Sequence, residues 1–150
     1  MSRQKTFDLI GQSPIHLLHR ASQCASDLFQ EEVSGDLTPR QFTILLTVAQ
    51  NEGVSQTGLV ERTGIDRSTL ADVIRRMLRK GLLQRRRTRE DARAYAVRLT
   101  DEGWRALKEA EPHARRTDER VLAVLSNAER EKFLKGLAAI VRAFENEGNQ

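Results

Sequence analysis

The chain has 150 residues, of which 31% are charged and 39% hydrophobic, and its formal net charge is +4. This length and balance predict one globular, mainly helical domain and exclude a disordered chain. No apolar run approaches the ~18 residues that a membrane-spanning helix needs, so no membrane partner is expected. A single cysteine excludes an internal disulfide and, with no signal-like stretch at the N-terminus, predicts a cytoplasmic location.

The positive charge is concentrated in one segment. Residues 62–98 contain twelve Arg or Lys and four acidic residues, a net charge of +8, whereas the rest of the chain has 13 basic and 17 acidic residues and carries −4. A basic block inside an otherwise acidic chain is typical of a surface that binds a polyanion. Only Tyr95 in this segment is aromatic, which argues against single-strand binding by base stacking. Duplex nucleic acid is therefore the expected partner, with a solvated charged face as the alternative.

Two helices are predicted in the first third of the chain. The first runs from Pro14 to about Gln30, with an apolar stripe at helical spacing. The second begins at a capping box formed by Thr38 and Gln41 and ends near Gln50. Its apolar residues predict the buried face: Phe42, Leu45, Leu46 and Ala49.

Two shorter helices follow, joined by a turn that contains glycine. Ser55 caps the first, which ends near Thr63, and Asp66 caps the second, which runs to Lys80. Gly81 stands just past that end, where glycine commonly closes a helix. Apolar residues at helical spacing lie on one face of the second helix, and polar and basic residues lie on the other. This arrangement predicts a helix-turn-helix.

The sequence then predicts a hairpin and two further helices. Two short strands, residues 82–85 and 94–99, enclose a basic loop, which is the pattern of a two-stranded wing. A long helix from Asp101 to about Leu125 follows, and Pro112 is expected to kink or interrupt it. A last helix begins at a second capping box, Ser126-Asn127-Ala128-Glu129. Its apolar stripe is wide and consists of Phe133, Leu134, Leu137, Ile140, Val141 and Phe144.

Specific motifs flank the helix-turn-helix. They are Leu37-Thr38-x-x-Gln41-Phe42 before it, and Gly81-Leu82-Leu83-x-Arg85-x5-Asp91-x-Arg93 with Leu99-Thr100-x-x-Gly103 after it. With these motifs the chain resembles the MarR family of winged-helix transcriptional regulators over nearly its whole length. Ala92 departs from the arginine that many members carry. That departure places the minor-groove role of the wing tip on Arg93 and its neighbours.

The resemblance implies the architecture and the partners. The fold is expected to be mainly α, with residues 1–150 as a single domain. Within it, residues 37–100 form the winged helix-turn-helix lobe, and the helices of residues 7–36 and 101–147 form a dimerisation region. An obligate homodimer is implied, which binds a pseudo-palindromic operator and usually represses transcription until a small effector releases it. The apolar residues 7–10 and 133–144 fit a subunit interface, with packing inside one chain as the alternative.

The residues expected to contact DNA come from three elements. Phosphate anchors are expected at the N-terminus of the first short helix, because unpaired backbone N–H groups point there: Ser55 and Gln56. The N-terminus of the recognition helix should enter the major groove with Arg67, Ser68 and Thr69. Further along that helix, phosphates or a guanine should be met by Arg75, Arg76 and Arg79. The wing contributes Arg87, Arg89, Asp91 and Arg93.

Two acidic residues in this set have two interpretations each. Asp72 either accepts a hydrogen bond from a cytosine amino group or orients Arg75 or Arg76 at helical spacing. Asp91 either pairs with Arg93 or a neighbouring arginine, or forms the turn of the wing, and both roles are compatible.

An effector site is implied by the resemblance. His16, His19 and Arg20 lie on the helix that walls the effector pocket in this family; a solvated or interface position is the alternative for each. The run from Pro14 to Ala21 also resembles branches of the family that serve aromatic-acid and hydroxycinnamoyl-CoA catabolism. The expected effector is therefore an aromatic carboxylate or its CoA thioester.

Other functions are weighed against this one. No catalytic constellation, metal-ligand cluster or phosphate-cradling glycine loop stands in the sequence, so no enzyme, metal or cofactor is expected. Cys24 could sense peroxides, as a cysteine does in some members of this family, although free cysteine is commonly a small buried hydrophobic residue. A winged helix that binds another protein is the remaining alternative.

Overall fold

The computed structural model describes residues 10–87 and 95–147. In these residues six helices and three strands follow one another: α1 (Pro14–Glu32), α2 (Pro39–Gln50), β1 (Val54–Ser55), α3 (Gln56–Thr63), α4 (Arg67–Arg79), β2 (Leu83–Arg87), β3 (Tyr95–Leu99), α5 (Asp101–Ala123) and α6 (Asn127–Glu147). The prediction of a mainly α fold with a helix-turn-helix is confirmed. None of the helices so described is both long and apolar enough to cross a membrane.

Side-chain caps define where the helices begin, as predicted. The Thr38 hydroxyl accepts from the Gln41 N–H, and the Gln41 carboxamide oxygen accepts from the Thr38 N–H, which completes the capping box of α2. At the start of α6 only half of the second box forms, because the Glu129 carboxylate accepts from both the N–H and the hydroxyl of Ser126. The α1 helix ends two residues later than predicted, at Glu32.

The sheet has three antiparallel strands in the order β1-β3-β2. The two predicted strands of the wing form its hairpin, β2 and β3, and β1 is an additional strand that the sequence does not predict. The two residues of β1 pair with β3, with Val54 opposite Val97. The hairpin of β2 and β3 has the register that places Leu83 opposite Leu99 and Arg87 opposite Tyr95. Ser55 belongs to this additional strand and also caps α3, so its pairing with Ala96 connects the start of α3 to the wing.

The main core lies inside the helix-turn-helix lobe. It is built from α2, α3, α4, the hairpin and the start of α5: Ile44, Leu45, Val48, Leu59, Leu70, Ile74, Met77, Leu83, Val97, Leu99 and Leu107. The predicted inner face of α2 is therefore partly wrong. Ile44 and Val48 are fully buried, whereas Phe42, Leu46 and Ala49 are half-buried and pack against the core.

A smaller cluster joins α1 to α5. It contains Phe29 on α1, Val33 just past the end of α1, and Ala110 and Ala114 on α5. The Phe29 ring packs on Phe42 of α2, with the ring centroids 5.9 Å apart. The end of α1 is held on α5 by charge as well as by packing: the Arg120 guanidinium lies 3.4 Å from the Glu31 carboxylate and 3.0 Å from that of Glu32.

The end of α4 and the start of α5 form a tight corner. Gly81 has a φ of +75°, and the Leu82 N–H donates to the Met77 carbonyl, which closes α4 as predicted. The Leu82 carbonyl in turn accepts from the Thr100 N–H at 3.1 Å. A methyl group on Gly103 would lie 2.1 Å from that carbonyl oxygen, so only glycine allows this approach.

Two helices expose apolar side chains along their length. On α1 these are Ile15, Leu17 and Leu18, and on α6 they are Phe133, Leu134, Ile140, Val141 and Phe144. The prediction that Pro112 could interrupt α5 is wrong, since the helix continues through it from Asp101 to Ala123.

Candidate nucleic-acid interface

The α4 helix presents its two faces to different environments. Leu70, Ile74 and Met77 have no exposed surface and anchor one face in the core. The opposite face is exposed and carries the residues predicted to contact DNA: Arg67, Ser68, Arg75, Arg76 and Arg79, with Thr69 and Asp72 half-exposed beside them. The helix is thus held rigidly while its cationic face meets solvent.

Asp66 organises the N-terminus of α4. Its carboxylate accepts from the Thr69 N–H at 2.9 Å, the Thr69 hydroxyl at 2.6 Å and the Ser68 hydroxyl at 2.9 Å. These bonds, the Thr69 side chain first, then the Thr69 backbone and the Ser68 side chain, lower the pKa of Asp66 from 3.8 to about 2. The carboxylate is therefore ionised throughout the neutral range.

The same bonds limit what Ser68 and Thr69 offer to DNA. A hydroxyl that gives its single proton to Asp66 keeps only lone pairs for a further partner. Lone pairs suit the amino groups of adenine and cytosine and repel phosphate oxygens. Asp66 is predicted from the sequence as a cap, but its bonds to the two hydroxyls are not, although the order Asp66-x-Ser68-Thr69 contains the signal.

Asp72 lies between two of the predicted phosphate ligands. Its carboxylate is 3.2 Å from the Arg76 guanidinium and 3.7 Å from that of Arg75. This geometry is that of the orienting role. The three side chains are each about half-exposed or more, so the ion pairs are weak and either arginine can exchange its partner for a phosphate at small cost.

The N-terminus of α3 lies beside the wing. Ser55 is half-buried; its hydroxyl accepts from the Gly58 N–H at 3.0 Å, and its backbone pairs with Ala96 of β3. Gln56, the first residue of α3, is also half-buried. Both predicted anchors therefore stand where β1 fixes the α3 terminus.

The described part of the wing is strongly basic. The guanidinium groups of Arg85 and Arg87 lie 5.7 and 5.9 Å from the centre of the Tyr95 ring. Such cation–π contacts direct both arginines along one face of the hairpin. Arg89, Asp91 and Arg93, predicted at the wing tip, lie outside the described residues.

The residues predicted for an effector or for redox chemistry are on α1. His19 and Arg20 are exposed and His16 is half-buried, and none of the three lines the larger cleft described next. Cys24 is exposed too, so in the single chain the interpretation of a buried hydrophobic residue is wrong. In the part of the chain that the structure describes, no three His, Cys, Asp or Glu side chains are grouped as a metal site.

A cleft of about 360 Å³ opens where the helix-turn-helix lobe meets α1 and α5. Its walls are apolar at Val33, Leu37 and Ala106 and polar at Lys80, Glu109 and His113. The sequence does not predict this cleft, because three segments that are distant in sequence contribute to it: residues 33–37, 80–82 and 106–113. The cleft adjoins the corner between α4 and α5, since Lys80 and Leu82 line it on one side and Ala106 on the other.

A helix-turn-helix with an exposed basic second helix and an adjoining hairpin defines a winged-helix DNA-binding protein. Residues 35–94 match the model of the MarR family. The chain is also 32% identical over 128 residues to the transcriptional regulator HosA of Escherichia coli O111:H-, an alignment that spans 85% of this chain and 94% of HosA. The chain belongs to the MarR family and is a transcriptional regulator, not an enzyme.

Solved structures of regulators share its fold. The PcaV transcriptional regulator from Streptomyces coelicolor, in complex with its natural ligand, superposes with a TM-score of 0.84 at 33% identity, over 89% of this chain and 95% of PcaV. The transcriptional repressor CouR bound to a 23-mer DNA duplex has a TM-score of 0.78 at 30% identity, over 87% and 94% of the two chains. CouR bound to p-coumaroyl-CoA has a TM-score of 0.77 at 30% identity, over 89% and 94%.

Proposed function

We propose that this chain is a sequence-specific repressor that binds a pseudo-palindromic operator as a homodimer and is released by an aromatic carboxylate or its CoA thioester. The observation that carries the proposal is the two-faced α4 helix, anchored by fully buried Leu70, Ile74 and Met77 and basic on its exposed face. A fixed helix with an exposed cationic face suits docking in the major groove, where phosphates position the protein and base edges select the sequence.

Each part of α4 has its own role in this proposal. Arg67, at the helix N-terminus, reads a base edge beside the lone pairs of Ser68 and Thr69. Arg75 and Arg76, held by Asp72, contact phosphates. The wing contacts the adjacent minor groove through Arg93, which the sequence predicts at its tip. The complex of CouR with a DNA duplex supports this use of the fold.

The exposed apolar faces of α1 and α6 support the homodimer. Ile15 is 73% exposed and Phe144 is 66% exposed in the single chain. Exposed apolar side chains at helical spacing on two helices are typical of a protein interface. A two-fold interface there would bring two α4 helices to half-sites about 10 bp apart, one turn of the duplex.

The dimer can be tested by sedimentation together with duplex binding. Phe144→Asp is expected to give a monomer with weakened operator binding, since it places a charge in the interface. Lys135→Asp is the matched control, because Lys135 is exposed and lies about 180° around α6 from Phe144 at 3.6 residues per turn, so it should leave the dimer intact. For the wild-type dimer, log affinity should fall by about 0.9 per phosphate contact with each unit of log salt. A wild-type monomer, or duplex binding that is insensitive to salt, would refute the proposal and favour a protein-binding winged helix.

Ligand control is supported by two relatives, CouR bound to p-coumaroyl-CoA and PcaV bound to its natural ligand. The operator requires one distance between the two α4 helices of the dimer. A ligand that favours a different distance must lower the affinity for DNA, and DNA must lower the affinity for the ligand by the same factor. A coupling of about 5–150-fold suffices. Titration of the operator complex with p-coumarate and p-coumaroyl-CoA tests this. His16→Ala and His19→Ala should raise the concentration needed for release while operator affinity stays within about threefold. Release by neither compound would refute the proposed effector class.

A further inference from the structure

A second cleft, of about 330 Å³, lies at the C-terminal end of α4 where α2 begins. Three cationic side chains, one carboxylate and two polar side chains line it: Arg76, Arg79, Lys80, Asp36, Thr38 and Gln41. The cleft also borders the N-terminus of α2, a helix of 12 residues whose first N–H groups carry partial positive charge. Its local charge is therefore positive, and an anion is the ligand class that it favours.

Gln41 is the residue that distinguishes this cleft from an ordinary basic surface. It is only 5% exposed, and its Oε1 accepts from the Thr38 N–H at 3.2 Å, which fixes the orientation of the carboxamide. Among the described residues, Gln41 Nε2 donates to no acceptor. Every side-chain nitrogen or oxygen that is fully buried in those residues does have a hydrogen-bond partner. Nε2 therefore keeps accessible surface, and the cleft that Gln41 lines provides it. A buried amide thus directs an unused donor into the basic cleft.

The cations around Gln41 retain donors for a ligand. Lys80 Nζ donates to the Asp36 carbonyl at 3.2 Å, which leaves two of its three N–H groups. Arg76 is 3.2 Å from Asp72 on one side and lines the cleft on the other. Arg79 forms no ion pair with any residue that the structure describes. Against these, the Asp36 carboxylate is the single negative charge of the lining, so an anion with several acceptor oxygens gains most.

We infer that this cleft binds a phosphate group, with Gln41 Nε2, Arg79 and Lys80 as donors. The inference rests on the proposed function, because the phosphate belongs either to the operator backbone or to a phosphorylated effector. Lys80 and Asp36 line both this cleft and the larger, partly apolar one. A ligand with phosphates and an apolar acyl group could therefore occupy the two together, next to the arginines of α4.

Gln41→Glu is the decisive variant. The carboxylate keeps the acceptor that the Thr38 N–H needs, so the capping box survives, but it removes the Nε2 donor and repels phosphate. Arg79→Ala removes a second donor without touching the cap. Arg105→Ala is the control, since Arg105 is an exposed arginine that pairs with Glu102 on α5, away from the cleft. Thermal melting of each variant establishes that it is folded.

Two probes distinguish the sources of the phosphate. Calorimetry measures the binding of free coenzyme A, and fluorescence anisotropy measures the binding of a random-sequence 20-bp duplex. Gln41→Glu and Arg79→Ala are each expected to weaken one of the probes by about tenfold, with Arg105→Ala unchanged. A loss for coenzyme A alone assigns the site to the effector, a loss for the duplex alone assigns it to the DNA backbone, and a loss for both makes the two compete.

The inference is overturned if both cleft variants bind both probes as tightly as the wild type, or if Arg105→Ala weakens binding equally. If Gln41→Glu does not fold, Arg79→Ala decides alone. If the wild-type chain binds coenzyme A but no duplex, the proposed function is refuted. The phosphate site is then tested by calorimetry alone, through the affinity of the two cleft variants for coenzyme A. A wild-type chain that binds neither probe refutes both.

Discussion

Gly103→Ala tests the corner between α4 and α5 directly. The new Cβ would lie 2.1 Å from the Leu82 carbonyl oxygen and 3.4 Å from Leu99 Cβ. Carbon and oxygen approach one another no closer than about 3.3 Å even in favourable C–H···O contacts, so α5 must move away from Leu82 by about 1 Å. That movement stretches the bonds that Thr100 makes to the Leu82 and Gly81 carbonyls.

The magnitude follows from three contributions. Overpacking a close contact costs about 1–3 kcal/mol, and each weakened hydrogen bond adds about 1 kcal/mol. The higher helix propensity of alanine returns up to about 1 kcal/mol. Gly103→Ala should therefore lower the free energy of unfolding by about 2–4 kcal/mol.

Urea denaturation at one fixed protein concentration measures this change, since the stability of the proposed dimer would depend on concentration. Glu102→Ala is the control in the same helical turn, because Glu102 is exposed and pairs only with Arg105 among the described residues. It should change stability by less than about 1 kcal/mol. If Gly103→Ala were as stable as Glu102→Ala, the close approach of α5 to Leu82 would not be a constraint on this fold.

Four further outcomes are expected. Arg67→Ala should cost about 1–3 kcal/mol on the operator and less on random duplex; equal losses measured by anisotropy would mean a phosphate contact. Arg93→Ala should weaken both duplexes about evenly, and an unchanged affinity would remove it from the wing contact. The lowered pKa of Asp66, about 2 against 3.8, means that the α4 cap stabilises fully above pH 3.8 and is lost as the pH falls towards 2, which NMR titration of the Thr69 amide follows. Cys24→Ser should leave operator binding in peroxide unchanged; a lost peroxide response would instead support redox sensing.

Short-range chemistry explains which elements the sequence predicted well. The Thr38–Gln41 box, the Asp66 cap and the glycine at position 81 are each complete within about four residues, so their signals are visible without the fold. The basic face of α4 was predicted for the same reason, because Leu70, Ile74 and Met77 mark its buried side at helical spacing.

Long-range contacts explain what was missed. A strand of two residues, Val54–Ser55, has no alternation to detect and exists only because β3 pairs with it. The buried face of α2 was predicted incompletely because the helix is packed on several sides. Ile44 and Val48 are therefore buried as well as the predicted Leu45. The two clefts and the free donor of Gln41 depend on segments that are distant in sequence, so only the folded chain brings them together.

Pro112 has a mechanical consequence for α5. Proline has no N–H, so the Lys108 carbonyl four residues earlier receives no helical hydrogen bond. The first turn of the helix approaches the Leu82 carbonyl just past α4, whereas Ala110 and Ala114, one on each side of Pro112, both pack against residues at the end of α1. Resistance to bending is lowest at the turn around Pro112, in a rod about 34 Å long. Elastic deformation of α5 therefore concentrates where α1 supports the helix on both sides of the missing hydrogen bond.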